Sequence, residues 1–433
     1  MTAVIGSAGS QSTVVGELPT DWKVKKLGDL GIVVRGGSPR PAGDPRYFNG
    51  TFIPWLTVAS LTTIPDSQLE VIQTTGFLTE QGSRRSRILQ PDTLIIANSG
   101  ATLGVAKVLK IKCCANDGIA ALIDQHAGDR EFLCYYINTR TQYLREVVAP
   151  GNGQPNLNTT LIGEISVPFP DEQEQRTIAG ALKEIDGLIS TLQKLIAKKQ
   201  AIKQGMMQQL LTGRTRMPGF SEPWRDVRLG DYVTYVKTVA LSRAQLDTTS
   251  PLRYLHYGDI HTTADVTLDA ERKAMPRANA LLARNAGRLQ IGDLVLADAS
   301  EDPAGVGKSV EIASVPTEGV VPGLHTIAAR FDKRVLADGF KAYIQFIPTF
   351  RESLLRLAAG TKVLATTRSY ISSVVLPLPG VDEQRAIARA LHDCDDEIEG
   401  LRLRLTKAQH VKQGMMQQLL TGRTRLPVKE VAS

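Results

Sequence analysis

The chain has 433 residues, 42% of them hydrophobic and 22% charged, with a net charge of +7. That length allows about two to four domains with ordinary cores, and the basic balance favours a polyanion over an acidic protein surface as partner. No apolar run is long enough to span a membrane, and the four cysteines form no CxxC pair, so neither a zinc site, a disulfide framework nor a secreted setting is indicated and a cytoplasmic location is expected.

The first sixteen residues, MTAVIGSAGSQSTVVG, lack a basic stretch followed by an apolar run. They read as a disordered tail (1–16), not as a signal peptide. A first globular domain is expected over 17–170. Within it TLIIA (93–97) reads as a strand, and FLCYYINTRTQYLREVVA (132–149) as a helix stopped by Gly151. Pro170 then closes a strand, and Asp171 with Glu174 three residues on gives a capping-box-like helix start. From there Ile178, Leu182, Ile185, Ile189, Leu192 and Ile196 step by 4, 3, 4, 3, 4, the a/d seam of a helix that packs along its length. Gly213 sits where a glycine would end it. This first spacer helix occupies 171–216, about 40 residues or roughly 60 Å.

The pattern then repeats. A second globular domain is expected over 217–380, with DLVLA (293–297) and SSVVLPL (372–378) as strands and FKAYIQFIPTFRESLLRLAA (340–359) as a helix stopped by Gly360. A second spacer helix covers 381–427, with the seam Ile387, Leu391, Cys394, Ile398, Leu401 and Leu405 and the end glycine Gly422, before a short tail (428–433). KQGMMQQLLTGRTR occurs at Lys203–Arg216 and again, with all fourteen residues unchanged, at Lys412–Arg425. Glu174-Gln175-Arg176 recurs as Glu383-Gln384-Arg385, and VPFP (167–170) as LPLP (376–379). The globular parts match more weakly: Trp22 with Leu27-Gly28-Asp29 against Trp224 with Leu229-Gly230-Asp231, LQPDTLIIANS against LQIGDLVLADAS, and Gly104–Lys107 against Gly305–Lys308. The expected fold is therefore α/β (α+β): two similar globular domains joined by two long helices that form an antiparallel coiled-coil spacer with pseudo-twofold symmetry. The alternative is that each helix lies on its own globular domain.

A duplicated module on a two-helix spacer suits duplex DNA, whose backbone geometry is also twofold. Diverged modules fit two different half-sites, and identical helix segments fit two copies of one partner protein. Gly205, Met206, Met207, Leu210 and Leu211, with Gly414, Met415, Met416, Leu419 and Leu420, are the candidate docking residues. Methionine supplies adaptable apolar contact, and a mid-helix glycine, which costs about 1 kcal/mol against alanine, points to close backbone approach. Intramolecular packing at the ends of the coiled coil, or recent duplication, would also account for the identity.

These residues resemble the specificity subunits of type I restriction–modification systems. The resemblance rests on the W…LGD openings, IPWLTVASLT (53–62), YLHYGDIHT (254–262), the proline-strand-then-EQR entry into each helix and KQGMMQQLLTGR, and it covers residues 17–427. It implies two target-recognition domains, each reading one half of a split, asymmetric double-stranded DNA site, and two spacer helices that set the gap. It also implies two methyltransferase (modification) subunits and further restriction subunits as partners. S-adenosylmethionine, ATP and magnesium would belong to those partners and not to this chain.

Base readout needs Arg, Lys, Asn or Gln at groove edges, and phosphate contacts need cations and N–H groups. The candidates in the first domain are Arg84, Arg85 and Arg87 in GSRRSR, Asn98 and Lys107 beside a Gly-rich turn, and Gln154, Asn156 and Asn158 in GNGQPNLN. In the second they are Arg253, His256, Arg272, Lys273, Arg284, Arg288, Lys308, Lys362, Arg368 and Tyr370. Each could equally be a solvated surface group. No catalytic constellation is found. GVGKS (305–309) lacks the leading glycine of a phosphate loop, since position 302 is Asp302, and the histidines show no metal spacing. No Gly-rich cofactor loop with an NPPY-type site indicates a methyltransferase. Asp395, Asp396, Glu397 and Glu399 read as the solvated face of a helix. A free-standing bipartite DNA-binding regulator, a protein scaffold and a fused methyltransferase are the competing readings.

Overall fold

The structure is a computed structural model and describes residues 9–148, 156–358 and 364–427. Contacts divide the chain into two compact units, Met1–Leu195 with Leu401–Ser433, and Ile196–Gly400. Each unit is thus built from both repeats.

The first unit centres on a five-stranded sheet in the order Ile32–Arg35, Ile119–Ile123, Leu94–Ala97, Ala106–Leu109, Glu70–Val71. The second repeats that order with Val233–Val236, Thr326–Phe331, Leu294–Ala297, Ser309–Ser314 and Thr267–Asp269. In both, three antiparallel pairings are followed by one parallel edge pairing. The central strands LIIA and LVLA are buried throughout because both sheet faces are covered, hence their unbroken apolar runs. A second layer in the first unit has four strands, Gly76–Leu78, Phe48–Leu56, Cys113–Ala115 and Arg87–Leu89. Its counterpart in the second unit keeps one pair, Arg253–Leu255 with Val320–Pro322.

The two long helices are Glu172–Leu210 and Val381–Leu419, each of 39 residues. Asp171 accepts the Glu174 N–H at 2.8 Å, which is half of a capping box. The other half is not made, because the Glu174 carboxylate turns inward to Trp22 and Arg425. Gly213 and Gly422 take φ of 69° and 66°, the left-handed conformation that ends a helix at least cost with glycine.

The heptad seam divides its work. Ile178 and Leu182 are buried in the core of the first globular part, and Ile387 and Leu391 in that of the second. The end of the other helix shares each of these cores, Leu419 in the first and Leu210 in the second, and further along Ile185, Ile189 and Leu192 meet Leu401, Leu405 and Ala408. The two readings of the helices are therefore both partly realised: each starts on its own globular domain and continues against the other helix.

Charged pairs fix the antiparallel register. In the first unit Lys412 Nζ lies 2.7 Å from Asp186, which also accepts from Tyr135 Oη at 2.8 Å. In the second unit Lys203 Nζ lies 2.5 Å from Asp395, which accepts from Tyr343 Oη at 3.1 Å. At the helix ends Arg425 bonds both oxygens of Glu174, one through Nε and one through Nη2 at 2.7 Å. Arg216 grips Glu383 the same way at 2.7 and 2.6 Å. The two carboxylates are each 2% exposed. Burial pushes Glu174 above the usual carboxylate range despite Arg425. At Glu383 burial also acts upward, but the Arg216 hydrogen bonds and charge outweigh it and hold the carboxyl below that range.

Several expectations are corrected. In the stretch 1–16, expected as a disordered tail, Ser10–Thr13 pairs antiparallel with Gly16–Pro19, and the Gln11 side chain donates to the Trp22 carbonyl at 2.7 Å, while 1–8 lie outside the described residues. The helix expected over 340–359 is broken by Pro348. Lys341–Phe346 is a 3-10 turn, Ile347 is extended with ψ of 120°, and a new helix, Pro348–Leu357, begins with the proline at its start. Proline has no N–H to give and bars the preceding residue from helical geometry. The helix expected over 132–149 is Arg130–Thr139, interrupted at Arg140 and followed by shorter turns. SSVVLPL is a strand only over Val375–Leu378, its first part lying in the short helix Arg368–Ser373. Gly151, Gly360 and the tail 428–433 lie outside the described residues.

Breaking a buried ion pair from one side strands a charge, which costs about 3–5 kcal/mol. Arg425→Ala should lower stability by about that amount in chemical unfolding, and Arg216→Ala should lower it in the same direction. The exposed control Arg214→Ala should stay within about 0.5 kcal/mol.

A second expectation concerns Glu311, 3% exposed, which accepts N–H bonds from Gly339 at 2.7 Å and Ala342 at 2.8 Å. Burial pushes its carboxyl from 4.5 up to about 7, against the pull of Lys341. A folded-state pKa above the unfolded one means that the protonated form favours folding. Stability of the second unit should therefore fall as pH rises from about 4.5 to about 7 and then level off. Glu311→Gln should flatten that part of the profile in urea midpoints taken across the range.

Candidate nucleic-acid interface

Four arginines of the first unit meet around one depression. Arg35 ends a strand of the five-stranded sheet, Arg84 and Arg85 follow the short helix Glu80–Ser83, and Arg87 opens the strand Arg87–Leu89. Together with Gly36, Gly37, Ser83 and Ser86 they line an open cavity of about 710 Å³. The backbone turn at its floor requires glycine, since a β-carbon on Gly36 would lie 2.1 Å from the Asn116 carbonyl oxygen. The Arg87 Nε donates to the Arg35 carbonyl at 2.7 Å, and the Arg85 guanidinium sits 4.8 Å over the Tyr47 ring. Arg84 pairs with Glu80 at 2.7 Å, but both side chains are mostly exposed, so that pair is readily exchanged for another anion. Fixed, exposed guanidinium groups over a concave floor suit a phosphate backbone. Arg35, missed in the sequence, belongs with the three that were named; its proximity depends on a bond spanning 52 residues.

Other candidates are placed differently. Lys107 is 2% exposed and donates to the Pro65 and Gln68 carbonyls at 3.1 and 2.5 Å; burial depresses its ammonium. Asn98 is 1% exposed and donates to the Asp117 carbonyl at 3.2 Å. Neither reaches the surface, which corrects both assignments. Asn158 is exposed but caps the helix Thr159–Gly163, accepting the Leu161 N–H at 2.8 Å. Asn156 is exposed and bridges to Ser99. Gln154 and Lys362 lie outside the described residues.

In the second unit Arg253 is spent on the carbonyls of Lys273 and Glu271, at 2.7 and 2.9 Å. Lys308 donates to the His261 carbonyl at 2.6 Å, with its ammonium depressed by burial. These two hold loops together. His256 caps the helix Tyr257–Thr262, its Nδ1 accepting the Gly258 N–H at 3.1 Å. Tyr370 packs on the core. Arg272, Arg284, Arg288 and Arg368 are exposed and Lys273 half-buried. Arg368 lies 5.5 Å over Tyr235.

Of the docking candidates, Leu210 is 6% and Leu419 3% exposed, within the cores of their units, and Met206, Met207, Met415 and Met416 are half-buried against the same cores. These two leucines, with Leu211 and Leu420 at 1% exposed each, offer no surface to a partner, contrary to the expectation. Gly205 and Gly414 differ: a β-carbon on either would meet nothing within 4 Å. Among the described residues no group of three or more His, Cys, Asp or Glu is placed to hold a metal ion, and no helix is long and apolar enough to cross a membrane.

Residues 19–204 match the family profile described as the type I restriction modification DNA specificity domain. The chain is 29% identical over 187 residues to the type I restriction enzyme MjaIX specificity subunit of Methanocaldococcus jannaschii, a match covering 42% of each chain. It is 23% identical over 443 residues, 96% of each chain, to the putative MjaX specificity subunit of the same organism. The crystal structure of the S subunit of a type I restriction–modification system from M. genitalium superposes with a TM-score of 0.58 at 12% identity. That match covers 92% of this chain and 96% of the other. The chain is homologous to the specificity subunits of type I restriction–modification systems and shares their fold.

The arginine cavity is testable without a known target. Arg84, Arg85 and Arg87 changed together to Ala should leave the unfolding midpoint nearly unchanged. Duplex affinity should fall, and the slope of log affinity on log salt should flatten by up to about 3, near 0.9 for each phosphate no longer neutralised. An unaltered slope would remove the cavity from the interface.

Proposed function

We propose that this chain is the non-catalytic DNA-specificity subunit of a type I restriction–modification complex. Each globular unit reads one half of a bipartite, asymmetric duplex site, and the paired helices set the gap. Two methyltransferase subunits dock on the repeated helix segments, restriction subunits join them, and S-adenosylmethionine, ATP and magnesium serve those partners.

The observation that supports this most directly is unequal repetition. The same sheet order occurs twice with different polar groups at its rim, beside two unchanged copies of one helical segment. The chain's own packing accounts for Lys203, Leu210, Leu211 and Arg216 and for their repeats. It does not account for Gly205 and Gly414, which cost helix stability and leave open space. On the same helix face, three residues earlier, lie Ile202 and Val411, 44% and 45% exposed. An exposed branched apolar side chain beside a bare stretch of backbone, present twice, fits one kind of helix docking twice.

Selection of bound duplexes from a random library, using the chain with its methyltransferase partner, should recover two fixed half-sites separated by an unspecified gap. A single contiguous motif would overturn the reading. Gly205→Trp with Gly414→Trp should leave the melting temperature unchanged or higher, since helix propensity improves. Co-purification with the methyltransferase should be lost; two partner subunits retained per chain would exclude these faces as the docking sites.

A further inference from the structure

The two sheets end in equivalent corners. In the first unit the strand Leu94–Ala97 runs into Asn98, and Ala97 pairs with Ile119, which Gly118 precedes. In the second, Leu294–Ala297 runs into Asp298, and Ala297 pairs with Thr326, which His325 precedes. A short helix closes each corner, beginning at Val58 in one and at Tyr257 in the other. The same three places meet in both. A β-carbon on Gly118 would lie 2.5 Å from the Val58 side chain, and the His325 ring lies 5.5 Å from that of Tyr257, edge-on at 85°.

The chemistry at the two corners differs. The first is closed, with Asn98 and Gly118 both buried. In the second the His325 side chain is 51% exposed, on a backbone with φ of 56°. Left-handed backbone disfavours any residue with a β-carbon, and such strain collects at functional positions. Half in solvent, the ring is not needed to fill the core. Two other histidines lie beside Tyr257, but both are committed to backbone. His256 Nδ1 accepts the Gly258 N–H, and His261 Nε2 bonds the Ala299 carbonyl at 2.9 Å. His325 Nδ1 lies 3.2 Å from the Asp298 carboxylate, and the Asp298 N–H donates to the His325 carbonyl at 3.1 Å. A carboxylate only accepts, so Nδ1 carries a proton, and in the neutral form of that tautomer Nε2 is an acceptor. Among the described residues that nitrogen has no partner.

Resting on the DNA-reading function above, we propose that His325, oriented by Asp298 and Tyr257, reads one base pair of the second unit's half-site. Its Nε2 accepts from an exocyclic amino group, adenine N6 or cytosine N4. Those amines are the donors that bases present in the major groove, and an acceptor facing one rejects the guanine O6 and thymine O4 edges. The first unit, with Gly118 at this place, makes no such contact.

The test is duplex selection with the full chain and its methyltransferase partner, comparing the unaltered protein with His325→Ala and His325→Arg. His325→Ala should relax one position of one half-site, where adenine or cytosine was required, by about tenfold in discrimination. His325→Arg replaces an acceptor with a two-pronged donor and should move that position to guanine. The other half-site, read in the same experiment, reports that the protein is folded. Bipartite motifs identical in all three proteins would overturn the assignment of His325 while leaving bipartite reading intact. Failure of the unaltered protein to select two half-sites would instead overturn the reading on which it rests.

Discussion

The buried carboxylate–guanidinium pair is the constraint on which the rest of the structure depends. Glu174 and Glu383 sit at the entries of the long helices, almost fully removed from solvent. A carboxylate there is tolerable only with a partner, and the partner is an arginine 251 residues away in one case and 167 in the other. Each entry is therefore matched to the exit of the other repeat's helix. Lys412 on Asp186 and Lys203 on Asp395 repeat the arrangement further along the seam. A slip of either helix would break both pairs of a unit at once, which apolar seams alone do not guarantee.

This constraint explains part of the identity between the two fourteen-residue segments and delimits the rest. Each segment has to fit a pocket made by the opposite repeat: a lysine for the Asp–Tyr pair, two leucines for the core, a left-handed glycine and a terminal arginine for the buried glutamate. Both pockets are alike, so both segments stay alike at those positions. The exposed positions carry no such demand. Gln204, Gln208 and Arg214 point away from the cores, as do their repeats, and the two glycines would accept a side chain. Their identity is not explained by the chain's own packing, and the proposed shared partner would account for it. On the proposed function, intramolecular packing and partner docking are thus not rivals; they would divide the segment by face.

The fold was legible where the signal is periodic or covalent. The heptad steps, the buried strand runs and the end glycines are local patterns with local causes. Legibility failed where a polar side chain's environment is assembled from distant segments. Lys107 and Arg84 are both cations next to loops in the sequence. One is sealed in by carbonyls of Pro65 and Gln68, about 40 residues upstream, and the other is in solvent. Nothing within either residue's own neighbourhood separates them. The same holds for Arg253 and Lys308, whose charges are spent on backbone carbonyls of loops they tie down. Pro348 was a local signal that should have split its helix, because the rule against proline in helix interiors needs no tertiary information. His325 was invisible for the opposite reason: its relation to Asp298 and Tyr257 exists only once two strands and a helix have met.

The duplicated sheet also shows how one scaffold carries two different rims. Backbone hydrogen bonds fix where the ends of Leu94–Ala97 and Leu294–Ala297 lie relative to their neighbours, and they do so irrespective of side chain. A residue just beyond such an end is held in place by the ladder, yet it is not part of the core. It can change from Gly118 to His325, or from Val58 to Tyr257, without disturbing the strands behind it. The interior cannot vary so freely, because a volume change of even a methylene is felt throughout a close-packed core. Divergence is therefore channelled to the rim, where it alters what a unit offers to a ligand, while within each unit the helices and their buried ion pairs keep the frame behind it.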